Sequence, residues 1–111
     1  MDQNTTCIVI YTTFPDAATA EKIISGLINE QLAACGNLFT IDSVYCWKNK
    51  VEHGPEIGAF IKTRASLYEQ VEAYIKDNHP YEVPEIISWE IKRGSTQYLE
   101  WIAESTLNAK R

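Results

Sequence analysis

The order in which the hydrophobic period changes along the chain restricts the fold more than any other feature of the sequence. Residues 7–13, CIVIYTT, form an unbroken β-branched and apolar run, the pattern of a strand buried on both faces. Pro15 and Asp16 follow at a helix start, where a fixed φ and a first-turn negative charge both suit exposed amides. Ala20, Ile23, Ile24, Leu27 and Ile28 then recur at three- and four-residue spacing opposite Glu21, Lys22, Ser25 and Asn29, which predicts an amphipathic helix over 16–31.

The two-residue period returns over 34–47, a long strand with Val44 and Cys46 on one face and Ser43, Tyr45 and Trp47 on the other. Gly36 and Asn37 are placed to bend or bulge it. Residues 48–50, KNK, turn the chain into a second long strand over 51–63, and His53, Gly54 and Pro55 mark an irregularity within that strand. Ser66 to Glu69 reads as a capping box for a helix whose buried stripe is Leu67, Val71, Tyr74 and Ile75, and Pro80 stops it. A fourth strand spans 83–91, with Pro84 near its start, where a missing amide is tolerated. Ser95 or Thr96 caps a last helix to about Leu107, carrying Leu99, Ile102 and Thr106 on one side.

The order β-α-β-β-α-β-α is that of an α+β domain. Its first six elements match the ferredoxin-like split β-α-β arrangement, an antiparallel sheet with two helices on one face, to which a C-terminal helix is added. No repeat, low-complexity stretch or linker breaks the chain, so residues 1–111 read as a single domain.

Three tryptophans, six tyrosines and three phenylalanines are more large apolar surface than a domain of 111 residues hides easily, which points to self-association. A net charge of −5 opposes the counterion-release binding that draws proteins to nucleic acid. The start, MDQNTTCIVIYTT, has no positive n-region, and its apolar run is far shorter than the ~20 residues of a membrane span, so the chain reads as cytoplasmic. Cys7, Cys35 and Cys46 are odd in number and lack zinc or disulfide spacing, and read as reduced, buried thiols.

His79 and Glu85, on either side of a proline-stiffened bend, are candidates for an acid/base pair. A histidine just past a helix end equally well satisfies the last carbonyls. His53 with Glu52 or Glu56 is either a weak metal set or part of a solvated hairpin. Lys62 alternates with Ile61 and Thr63, and either snorkels to solvent or places a cation in a cleft. Tyr45 and Trp47 are a ligand platform or a surface that a partner covers. Cofactor loops and nucleophile elbows are absent from the sequence.

Taken together, the segments TTFPDAATAEKI, LAACGNL, SVYCWKNKVE, IKT, NHPYEVPEII and YLEWI resemble the divalent-cation tolerance (CutA) family across nearly the whole chain. The resemblance implies a ferredoxin-like subunit in a tight homotrimer, similar in architecture to the PII signalling proteins, with hairpin strands extending the sheets between subunits. It implies a role in tolerance of copper and other divalent cations, with one mammalian branch linked to acetylcholinesterase anchoring, and no established reaction. It also implies an intersubunit cleft for a small ligand, at the matching positions Tyr45, Trp47, Lys62, His79, Tyr81 and Glu85. The positions that align with the soft copper ligands of bacterial members are here Thr12, Tyr74 and Asn78, poor copper donors, so any copper binding is expected to be of low affinity, with His79 a weak candidate ligand.

Overall fold

The computed structural model describes residues 6–107, so the first five residues of the amino-terminal stretch weighed for a targeting signal lie outside them. The elements are β1 (Cys7–Phe14), α1 (Ala17–Asn29), β2 (Cys35–Trp47), β3 (Lys50–Arg64), a 3-10 turn (Ala65–Leu67), α2 (Tyr68–Asn78), β4 (Ile86–Glu90) and α3 (Thr96–Glu104). The sheet order is β2-β3-β1-β4, and every neighbouring pair is antiparallel.

Asp16 lies outside α1 in extended backbone, and its carboxylate accepts the Thr19 N–H at 2.8 Å. It is therefore the cap of the helix and not the first-turn charge that the sequence suggests. The helix ends without a glycine: Gln31 takes the left-handed conformation at φ 59, and the Leu32 amide reaches back to the Leu27 carbonyl at 2.9 Å.

The β2–β3 turn is made by Lys48 and Asn49, both left-handed (φ 52 and 67), which matches the twist of a two-residue hairpin. From Cys35 opposite Lys62 to Trp47 opposite Lys50 the register is unbroken, so neither the bulge expected at Gly36 and Asn37 nor the irregularity at 53–55 occurs. Gly36 serves a close approach instead, since a Cβ there would lie 2.8 Å from Ile24 Cγ2 of α1. Pro55 falls where β3 has lost its β1 neighbour, a strand edge that accommodates proline.

The capping box expected before α2 does not form. Ser66 sits inside the 3-10 turn, where the Tyr68 amide is already satisfied by the Ala65 carbonyl, and its buried hydroxyl has no partner. β4 is shorter than the expected 83–91 and excludes Pro84. Its ladder with β1 stops at Thr12 opposite Ile86, because the Thr13 carbonyl, next in that register, is bound by His79.

The period-two alternation of β1 and β3 sends Ile8, Ile10, Phe14, Ala59 and Ile61 to the face covered by α1 and α2, where they meet Ile23, Leu27, Val71 and Ile75 in the main core. The opposite face is covered only at one end, by α3. There Ile102, Leu99 and Ile91 pack on Cys7 and Ala34, and buried Arg64 donates to the hydroxyl and carbonyl of Thr106. The rest of that face is an open run of rings. Tyr11 and Phe39 stack at 6.4 Å, Phe39 and Phe60 lie 4.9 Å apart, and Phe60 meets Trp89 edge-on at 6.1 Å.

Because β1 pairs with β3 only from Ile57 onward, residues 41–47 and 50–56 project as a two-stranded arm. Seven residues at ~3.3 Å each make it roughly 23 Å long. Val44 and Val51 on the arm are 73% and 76% exposed. Of the three thiols expected to be buried, Cys7 is, Cys35 is half-buried and Cys46, on the arm, is exposed.

Candidate functional site

The candidate site grows from the end of α2. Pro80 disfavours helical backbone in the residue before it, and His79 is extended (φ −86, ψ 137), which ends the helix. The ring lies against the end of β1, stacked on Phe14 with centroids 5.2 Å apart. Nε2 is 2.7 Å from the Thr13 carbonyl, while Nδ1 accepts the Tyr81 N–H at 3.1 Å. These partners assign the proton to Nε2 and leave neither ring nitrogen free.

Tyr81, placed by that turn, tilts against the His79 ring at 4.7 Å and donates its hydroxyl to Glu56 Oε2 at 2.6 Å. Burial first, then the Glu56 bond, pushes its phenol well above the usual range, and the charges of Tyr45 and Asp16 add to the effect. Tyr11 is also raised, by burial and then by Glu85 and Glu56. Glu85 therefore acts electrostatically on Tyr11, and the ring nitrogens of His79 have other partners. The acid/base pair that the sequence allows is not assembled.

Lys62 stands six residues beyond Glu56 on the same face of β3, roughly 20 Å away along the strand, and its ammonium donates to the Asn37 side-chain carbonyl. Tyr45 is 50% exposed on the arm, and Trp47 ends it with the Lys48 ammonium 5.8 Å from its ring. One chain thus brings together His79, Tyr81 and Glu56, brings Tyr45 within electrostatic reach of Tyr81, and leaves Lys62 and Trp47 at separate places. Glu56 and Thr13 enter this arrangement without any signal in sequence spacing. So does the contact of Cys35 Sγ with the Tyr98 hydroxyl at 3.5 Å.

The residues weighed as copper donors are not brought together on one chain. His53 alternates with Glu52 and Glu56 onto the opposite face of the arm, and Thr12 is fully buried, away from the groove that Tyr74 and Asn78 line. Among the described residues no group of three or more His, Cys, Asp or Glu side chains could hold a metal ion. Nor, among them, is any helix long and apolar enough to cross a membrane.

A family model described as CutA1 divalent ion tolerance protein matches residues 8–105. The chain is 43% identical over 99 residues to the divalent-cation tolerance protein CutA of Pyrococcus horikoshii, covering 89% of this chain and 97% of that protein. It is 43% identical over 100 residues to the chloroplastic protein CutA 1 of Oryza sativa subsp. japonica, again over 89% of this chain but only 56% of the relative. The crystal structure of CutA1 from Pyrococcus horikoshii superposes with a TM-score of 0.87 at 42% identity, covering 90% of this chain and 98% of that one. The periplasmic divalent cation tolerance protein CutA from Archaeoglobus fulgidus gives 0.88 at 36% identity, covering 89% and 97%.

Proposed function

This chain belongs to the CutA1 divalent ion tolerance family, and from that premise we propose that it works as a cytoplasmic homotrimer, a binding or regulatory protein in tolerance of divalent cations. The subunit is one ferredoxin-like domain over 1–111 with PII-like architecture, a reading supported by the antiparallel β2-β3-β1-β4 order. The observation that carries the assembly is the sheet face left open by α3: Trp89, Phe60 and Ile87 stay 45%, 38% and 51% exposed on it. An isolated two-stranded ribbon is marginal in water, so the arm needs a neighbour as well.

The ligand site is a cleft between subunits. Lys62 and the Tyr81–Glu56 contact lie roughly 20 Å apart on one chain. A cleft that uses both therefore takes Lys62 from one subunit and Tyr81, Glu85 and His79 from another, with Tyr45 and Trp47 lining it from an arm. His79 shapes that cleft and does not catalyse, since both its nitrogens are committed to backbone groups. The family's description names divalent-ion tolerance and no reaction. Copper binds weakly, because among the described residues no set of soft donors is assembled on one chain.

Light scattering at micromolar concentration tests the assembly: three times the monomer mass is expected, and a monomer or dimer overturns it. Calorimetric titration with copper is expected to give no sub-micromolar stoichiometric site. Lys62→Ala is expected to abolish binding of small carboxylates and phosphates in the cleft while the trimer persists, and unchanged binding removes the cleft reading.

A further inference from the structure

A cavity on the helical side of the subunit shares no lining residue with the proposed cleft. It has a volume of about 230 Å³ and is lined by Thr19, Lys22 and Ile23 of α1 and by Tyr74, Asn78 and Pro80 at the end of α2. We propose that this groove binds a short-chain monocarboxylate, its carboxylate held by the Lys22 ammonium and the Tyr74 and Thr19 hydroxyls, its hydrocarbon part resting on Ile23 and Pro80.

Two observations carry the assignment. Lys22 is the sole ionised side chain lining the cavity, and among the described residues it makes no ion pair. The second observation is the seat of Tyr74. A Cβ at Gly26 would lie 1.8 Å from the Tyr74 hydroxyl oxygen, so glycine at that position is what lets the phenol of this lining residue approach α1 so closely. Neither that hydroxyl nor the one on Thr19 has a hydrogen-bond partner among the described residues.

Size and chemistry narrow the ligand. Small-molecule pockets usually run from about 300 to 1,000 Å³, so a groove of about 230 Å³ suits only a few heavy atoms. A lone cation flanked by neutral hydroxyls matches one negative charge better than a phosphate dianion, and the apolar floor favours a hydrocarbon tail.

The test is heteronuclear NMR on the full chain, titrated with butyrate and, separately, with inorganic phosphate. Butyrate is expected to shift the amides of Thr19, Lys22, Ile23 and Asn78 saturably, and Lys22→Gln to weaken that binding at least tenfold. Tyr74→Phe, which keeps the ring on Gly26, is expected to weaken it several-fold with distant amides unmoved. No saturable shift, unchanged affinity in Lys22→Gln, or phosphate binding as tightly as butyrate each overturns the proposal.

Discussion

Replacing His79 separates a structural histidine from a reactive one, and the cost can be worked from its contacts. His79→Ala removes the donor to the Thr13 carbonyl and the acceptor of the Tyr81 amide, at 2.7 and 3.1 Å, together with the ring stacked on Phe14. Each hydrogen bond is worth about 1 kcal/mol net, and a buried carbonyl left without a partner costs about 1 to 3 kcal/mol. The lost ring contact adds about 0.5–1.5 kcal/mol. The expected destabilisation is about 3 to 4 kcal/mol, since the emptied space at a residue only 9% exposed refills in part with water. His79→Gln keeps a donor near the Nε2 position but loses the Nδ1 acceptor and the ring on Phe14, so it should cost about 1.5 to 2.5 kcal/mol. Guanidinium unfolding at one fixed protein concentration measures both, because the midpoint of an oligomer moves with concentration. A His79→Ala protein within about 0.5 kcal/mol of the parent, or a Gln variant no better than Ala, refutes the hydrogen-bond account.

Ser66→Ala should be neutral or stabilising by up to about 1 kcal/mol, because the buried hydroxyl it removes has no partner. A loss of about 1 kcal/mol in the same unfolding assay would instead mark a working cap. In Gly58→Ala the new Cβ would stand 2.6 Å from Phe39 Cε2, so the ring must leave its place beside Tyr11 and Phe60, with an expected cost of about 1–3 kcal/mol and a changed near-UV circular dichroism spectrum. The hydrogen bond with Cys35, and then burial, push the Tyr98 phenol up to about 12 from 10.0, so its contribution to stability is complete below pH 10 and lost as the pH rises through about 12. Phenolate absorbance against pH, compared between the parent and Tyr98→Phe, checks that sign. A Tyr98 phenolate forming at pH 10 contradicts it.

What the sequence determined by itself was everything carried by local period and backbone restriction. The 3.6-residue spacing from Ala20 to Leu27 makes α1, the apolar run at Cys7 makes β1, and Pro80 ends α2. The series of short motifs from Thr12 to Ile102 identified the family, because each motif is read in one dimension. The tertiary structure decided how those pieces meet. Glu56 and Tyr81 are 25 positions apart and Thr13 and His79 are 66 apart, separations at which no periodicity links two side chains. Their contacts exist because β1 and β3 pair and the chain after α2 folds back on the end of β1. Ser66 shows the converse: its motif fits a capping box, but a 3-10 turn satisfies the next amide first and leaves the hydroxyl buried without a partner. Gly36 likewise has the sequence look of a bulge, yet its role is set by Ile24 of α1, which packs where a side chain would stand. Periodicity records which face of an element is apolar; which residues then touch across that face depends on the register and on the angle at which the elements meet, and those belong to the packed structure alone.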